Sequence, residues 1–113
     1  MLYKKKHILN NRETISLLFQ TGKKVSNKNL TFVSLDNQCF SIMFSVSKRK
    51  ISKAVSRNKI KRQMRAIYLK NYELFTKTKQ PKAMSFVYFG NEKVEYKNLE
   101  KGMISLARKS QIE

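Results

Sequence analysis

Cysteine, histidine and proline occur once each in this 113-residue chain, glycine three times, and acidic residues only seven times. The single Cys39 excludes an intramolecular disulfide framework. With His7 as the only imidazole, a Cys/His zinc site of familiar spacing is excluded as well. A reducing cytoplasm suits such a chain. No apolar run approaches the ~18 residues of a membrane span. Lys4-Lys5-Lys6 leads into His7-Ile8-Leu9-Asn10-Asn11-Arg12 and not into the apolar stretch of a signal peptide. The means of hydrolysis are missing too. The acids are scattered, with only Glu92 and Glu95 close together, so the sequence assembles neither a carboxylate cluster for Mg2+ nor a nucleophile with its base. His7, beside three lysines, reads as a surface residue or a phosphate contact. Cys39, leading into an apolar strand, reads as a small packing residue.

What the chain has instead is positive charge: 25 Lys and Arg, for a formal net charge of +18. The length supports one core and one domain, residues 1–113, since ~70% or somewhat less of the unfolded surface can be buried at this size. The 41% hydrophobic content argues against wholesale disorder. Self-repulsion at this charge destabilises the compact state, and an anionic partner offsets it; nucleic acid leads the candidates. The charge is also localised. Between Asp36 and Glu73 there is no acid and there are ten Lys or Arg.

Periodicity supplies the elements. Asn10 and Glu13 have the spacing of a helix N-terminal cap with its reciprocating acid, and Ile15, Leu18 and Phe19 follow at i, i+3, i+4 before Gly22, which predicts a helix over residues 11–21. Leu30 to Leu35 alternates with a two-residue period up to the turn-like Asp36-Asn37. Phe40, Ile42, Phe44 and Val46 then alternate with Ser41, Met43, Ser45 and Ser47, so the pair reads as an antiparallel hairpin. From residue 52 to about 78 the period is helical, with Ile60, Met64, Ile67, Tyr68 and Phe75 on one side and Pro81 as a stop. Met84 to Phe89 reads as a further strand. Leu99, Met103 and Leu106 close the chain with a helix that Gly102 weakens by up to ~1 kcal/mol. One sheet with helices packed on it accommodates this order, with the long helix as a crossover between parallel neighbours. Phe32, Phe40, Phe44 and Phe86 are read as core residues.

Lys48 to Arg65 holds nine Lys or Arg in eighteen residues. Projected at about 100° per residue, Asn58, Lys61, Arg62 and Arg65 cover a stripe roughly 100° wide, and Ile60, Met64 and Ile67 a separate one roughly 60° wide, their centres about 140° apart. One face holds the sheet; the other presents cations and an amide. Arg offers a planar fork to phosphate, Lys a point charge, and Asn a donor and acceptor for a 2′-OH or base edge. A merely solvated helix interleaves Glu with its Lys, which this segment does nowhere before Glu73.

The order Ala54-Val55-Ser56-Arg57-Asn58-Lys59-Ile60-Lys61-Arg62-Gln63-Met64-Arg65, preceded by Ser45-Val46-Ser47-Lys48-Arg49, resembles the RNR signature of the bacterial ribonuclease P protein component. Glu13 to Gly22, Val25, Asn27 and Leu30 to Leu35 look like that family's first helix and opening strands, so the resemblance covers nearly the whole chain. It implies an α+β fold, a single-domain two-layer α/β sandwich of αβββαβα order, with a left-handed crossover through the second helix. It also implies a role: binding ribonuclease P RNA to form the holoenzyme that removes the 5′ leader of precursor tRNA. The RNA subunit carries the Mg2+ and the catalytic centre, so the protein alone is not expected to cut. By the same resemblance Arg57, Asn58, Lys61, Arg62 and Arg65 face the catalytic RNA. Ile15, Phe19 and Val33 line a cleft for the single-stranded leader, with Lys48 and Arg49 beside it. Ile15 and Val33 replace aromatic residues often found there, so apolar contact takes over from stacking. No cofactor of its own, no membrane and no obligate protein partner are expected, and the location is cytoplasmic. The rival reading is a freestanding basic RNA- or DNA-binding module, which explains the charge but not the Arg-Asn-x-Ile-Lys-Arg order. A metal-dependent nuclease acting alone lacks clustered ligands.

Overall fold

The computed structural model describes residues 8–78 and 80–112, without the side chain of residue 112. The elements run α1 (Arg12–Thr21), β1 (Lys23–Ser26), β2 (Leu30–Asp36), β3 (Ser41–Val46), α2 (Ala54–Lys70), α3 (Tyr72–Phe75), β4 (Lys82–Tyr88) and α4 (Tyr96–Ile112). The αβββαβα order therefore holds, with α3 as an added single turn. His7 lies outside the described residues.

Four strands form one sheet in the order β1-β2-β4-β3. Strands β2 and β4 pair antiparallel, and β3 and β4 pair parallel across the α2 crossover. The expected β2–β3 hairpin is thus corrected: the two strands do run in opposite senses, but β4 sits between them. The reason is burial. Ala83, Met84, Ser85 and Phe86 are buried in succession, so β4 needs cover on both faces and a neighbour on both edges. The central row Phe32, Phe86 and Phe44 falls in register across the three strands. The Phe32 and Phe86 rings stack at 4.5 Å, and Phe75 meets Phe86 edge-on at 5.7 Å; each such pair contributes about 0.5–1.5 kcal/mol beyond area burial. The core assignment holds: Phe32 and Phe86 are buried, while Phe40 and Phe44 pack against the same cluster half-buried.

Both faces of the sheet carry helix. The larger core joins Leu30, Phe32, Ile42, Met84 and Phe86 to Ile60, Met64, Ile67 and Tyr68 of α2 and to Leu99, Met103 and Leu106 of α4. Strand residues of the opposite parity, Val33 and Ala83, meet Leu18 of α1 in a smaller cluster, so α1 adds a partial layer to the sandwich. At the β3 edge, the Leu9 amide donates to the Ile42 carbonyl at 3.0 Å. At the other edge lies β1, whose single apolar residue, Val25, sits among Lys23, Lys24 and Ser26. It gives almost no periodic signal, and its lysines suit an unpaired edge.

Helix ends differ from expectation in two places. The N-cap of α1 is Asn11, one residue later than Asn10; its side-chain oxygen accepts from the Thr14 amide at 3.1 Å. The long helix breaks at Asn71, whose Nδ2 donates to the Ile67 carbonyl at 2.9 Å and to Glu100 Oε2 at 3.1 Å. An amide side chain that competes for the backbone in this way ends α2 near Lys70. Gly102 compensates its helix penalty by close approach: a Cβ there would lie 3.1 Å from Leu30 Cδ1.

Candidate nucleic-acid interface

Helix α2 buries Ile60, Met64, Ile67 and Tyr68. It rests on β3, while α4 rests on β1 and β2, so one flank of α2 adjoins α4 and the other overhangs the β3 edge. The flank toward α4 is where acids meet cations. Lys70 pairs with Glu100 at 3.3 Å, and Lys59 shares a groove of about 470 Å³ with Gln63, Glu92 and Glu95. The overhanging flank carries the predicted stripe. Asn58 and Arg62 are exposed, while Lys61 and Arg65 are half-buried, with Nε of Arg65 shielded from solvent. The helix start adds to the field, since its first turn holds no acid and Lys53 at the N-cap makes no side-chain capping bond.

Arg57 is tied to the main chain. Its Nη1 donates to the Ile51 carbonyl at 2.9 Å and to the Ser52 carbonyl at 2.6 Å. Those carbonyls belong to the segment joining β3 to α2. That segment begins where the Ser47 amide donates to the Tyr88 carbonyl at 2.8 Å, and it closes a helical turn where the Ile51 amide donates to the Ser47 carbonyl at 2.9 Å. Ile51 is buried; Lys48, Arg49 and Lys50 on the turn are exposed.

On the α1 face, Ile15 and Phe19 are half-buried against the small cluster together with Leu35 and Met43. Val33, expected to line the cleft, is instead packed under α1 with Leu18 at 1% exposure and presents almost no surface of its own to a ligand. Residues that sequence reasoning did not select share its face of the sheet. The register aligns Thr31 with Val87 and Val87 with Ser45, a row across β2, β4 and β3 on the same face, and all three are half-buried. Beyond Ser45 the chain turns into Lys48 and Arg49, so cations border the open end of this row. The signal was available in the alternation of β3, where Ser41, Met43 and Ser45 oppose the apolar face. Only the strand order shows which of them stand beside one another.

Among the described residues, no group of three or more His, Cys, Asp or Glu side chains lies close enough to hold a metal ion. Cys39 is exposed in the β2–β3 connection, which corrects its reading as a packing residue; it precedes β3 instead of entering it. Among the described residues, two groups are shifted from their ordinary values. Glu100 is held low, first by the hydrogen bond from Asn71 and then by Lys70. Tyr88, whose hydroxyl donates to the Asn91 carbonyl at 2.6 Å, is pushed up by burial. Both anchor α4 or its approach and neither lies on the stripe. Among the described residues no helix is long and apolar enough to cross a membrane.

A four-stranded sheet whose crossover helix displays cations away from the core defines a small α+β domain built to bind a polyanion. Comparison with known proteins narrows the class. Residues 3–111 match the sequence model of the family described as Ribonuclease P. The ribonuclease P protein component of Syntrophomonas wolfei is 32% identical over 111 residues, covering 97% of this chain and 91% of that protein. That of Microcystis aeruginosa is 38% identical over 69 residues, which is 54% of this chain and 56% of that protein. The structure of the Staphylococcus aureus RNase P protein superimposes with a TM-score of 0.80, at 17% identity, over 94% of this chain and 96% of that one, a likeness of fold. The chain belongs to the ribonuclease P protein family, whose members are subunits of the endoribonuclease that processes tRNA 5′ ends and associate with ribonuclease P RNA.

Proposed function

We propose that this chain grips ribonuclease P RNA with the overhanging flank of α2 and steadies the 5′ leader of precursor tRNA on the α1 face of the sheet. Asn58, Lys61, Arg62 and Arg65 meet the catalytic RNA. Ile15, Phe19 and the Thr31–Val87–Ser45 row provide apolar and polar contact for leader nucleotides, and Lys48 and Arg49 hold leader phosphates. Hydrolysis of the phosphodiester, with its Mg2+, belongs to the RNA subunit; the protein supplies charge and position. The holoenzyme acts in the cytoplasm and needs no second protein.

One observation supports this reading: α2 rests on the edge strand β3 and the exposed Lys48, Arg49 and Lys50 follow directly from that strand, so both sets of cations belong to one sheet edge. The test is reconstitution. A bacterial ribonuclease P RNA and a 5′-extended precursor tRNA are incubated at low Mg2+ with and without the protein. Acceleration that requires both macromolecules supports the reading. Cleavage by the protein alone, or turnover of the RNA unaffected by the protein, overturns it.

A further inference from the structure

We propose that Arg57 is a positioning residue: it locks the Lys48–Arg49–Lys50 turn onto α2, so that the RNA-gripping flank and the cations beside the cleft form one rigid surface. The inference rests on the functional reading above and changes the part that Arg57 plays in it. The family resemblance groups it with Asn58, Lys61, Arg62 and Arg65 as a contact to the catalytic RNA, although the stripe read from the helical projection leaves it out.

The geometry gives Arg57 a partner within the chain. Both protons of Arg57 Nη1 are directed at main-chain carbonyls, of Ile51 at 2.9 Å and of Ser52 at 2.6 Å. A bidentate phosphate contact uses two nitrogens of the guanidinium fork, and one of the outer two is thereby committed. The two carbonyls precede the first residue of α2, where no helical hydrogen bond reaches them, so Arg57 satisfies acceptors that the backbone leaves open. A charged donor makes such bonds stronger than a neutral one.

The turn is fixed at three points. Ser47 hooks it to β4 through the Tyr88 carbonyl, Ile51 sinks into the core, and Arg57 ties its exit to the helix. The first two orient the entry and the middle. Ile51 also shares the core with Ile60 and Met64, and Arg57 adds the directional, polar tie between the exit of the turn and the helix that carries Asn58, Lys61, Arg62 and Arg65. Without it, Lys48 and Arg49 keep their charge but lose a defined direction. Positioning of this kind acts on the leader, which the turn serves, and not on the count of ions released from the catalytic RNA.

The experiment uses the full chain, free and in the reconstituted holoenzyme. In the free protein, Arg57→Ala should raise amide hydrogen exchange at Lys50 and Ile51 by about tenfold or more and leave Met64 and Tyr68 of α2 unchanged. In the holoenzyme, the preference for leader-bearing over leaderless tRNA should fall as far as in the Lys48→Ala/Arg49→Ala double variant. The salt slope of binding to ribonuclease P RNA should change by well under the ~0.7–0.9 of one phosphate contact. Lys61→Ala should do the reverse. Unchanged exchange in the turn, or a slope lowered by a full contact with leader preference intact, makes Arg57 a direct phosphate contact and overturns the proposal. Should Arg57→Ala not fold, Arg57→Lys keeps the charge with a nitrogen one bond short of Nη1. Faster exchange in the turn supports the brace, and a wild-type exchange pattern refutes it. A wild-type protein that fails to stimulate the RNA overturns the functional reading, and the exchange result on the free protein then decides the brace by itself.

Discussion

Neutralising the overhanging flank of α2 separates a shaped interface from net charge. Lys61→Gln, Arg62→Gln and Arg65→Gln, combined, remove three charges while keeping side chains of useful length, so the half-buried stems of Lys61 and Arg65 are largely retained. If each of the three displaces one counterion, the slope of log K against log[salt] for ribonuclease P RNA falls by about 2.1–2.7 in magnitude. Across a fourfold rise in salt the variant should then lose about 20- to 40-fold less affinity than the wild type. The structure provides the matched control. Lys59 is on the same helix and equally charged, but it shares its groove with Glu92 and Glu95 on the flank toward α4, so Lys59→Gln should leave the slope unchanged. Asn58→Ala should weaken binding without altering the slope, because an amide releases no ion. The assay is filter binding or fluorescence anisotropy over a salt series, with urea melts to confirm that folding is intact. A Lys59→Gln slope reduced as much as that of any single stripe variant would show that affinity follows total charge, and the assignment of one flank would be wrong.

Four other outcomes follow from the α1 face and from the contact between α2 and α4. Phe19→Ala should weaken holoenzyme binding of leader-bearing tRNA more than of leaderless tRNA at small cost in stability. Leu18→Ala, at a fully buried site, should cost about 2–5 kcal/mol in urea unfolding; equal loss for both tRNAs on changing Phe19 would remove it from the cleft. Gly22→Ala should destabilise by about 1–3 kcal/mol in the same assay, because its Cβ would collide with the Leu18 carbonyl and lie 2.9 Å from Val33 Cγ1. Wild-type stability there would mean that α1 sits farther from β2. Glu100 has its folded value lowered, by Asn71 and then by Lys70, so its contribution is complete above the ordinary carboxylate value and is lost as pH falls through the lower folded value. Thermal melts from about pH 6 to 3 should fall more steeply for the wild type than for Glu100→Gln, and parallel curves would refute this link.

The sequence was most readable where one element carries its own signal. Ile60, Met64 and Ile67 at helical spacing, opposed by Asn58, Lys61, Arg62 and Arg65, give α2 a buried and an exposed side whatever it packs on, and both were found. The two-residue period of Phe40, Ile42, Phe44 and Val46 likewise gave β3 its apolar face, and these residues do pack in the larger core. Where signals were short or ambiguous the reading slipped. The paired Asn10-Asn11 placed the cap one residue early, the four residues of β1 offered one apolar side chain, and Asn71 looked like any polar helix residue until its amide was seen to compete for the Ile67 carbonyl.

The functional surface divides along the same line. By itself the chain determined that it would be cationic and that one helix would segregate charge from core. These are local properties, set by side-chain type and by the periods of helix and strand. Only the tertiary structure decided that β4 would enter between β2 and β3, that Val33 would lie under α1 while Thr31, Val87 and Ser45 line up beside it, and that Arg57 would turn back onto Ile51 and Ser52. A period tells which residues share a face. It does not tell which strand lies alongside, because that choice depends on burying the apolar surface of the whole chain at once.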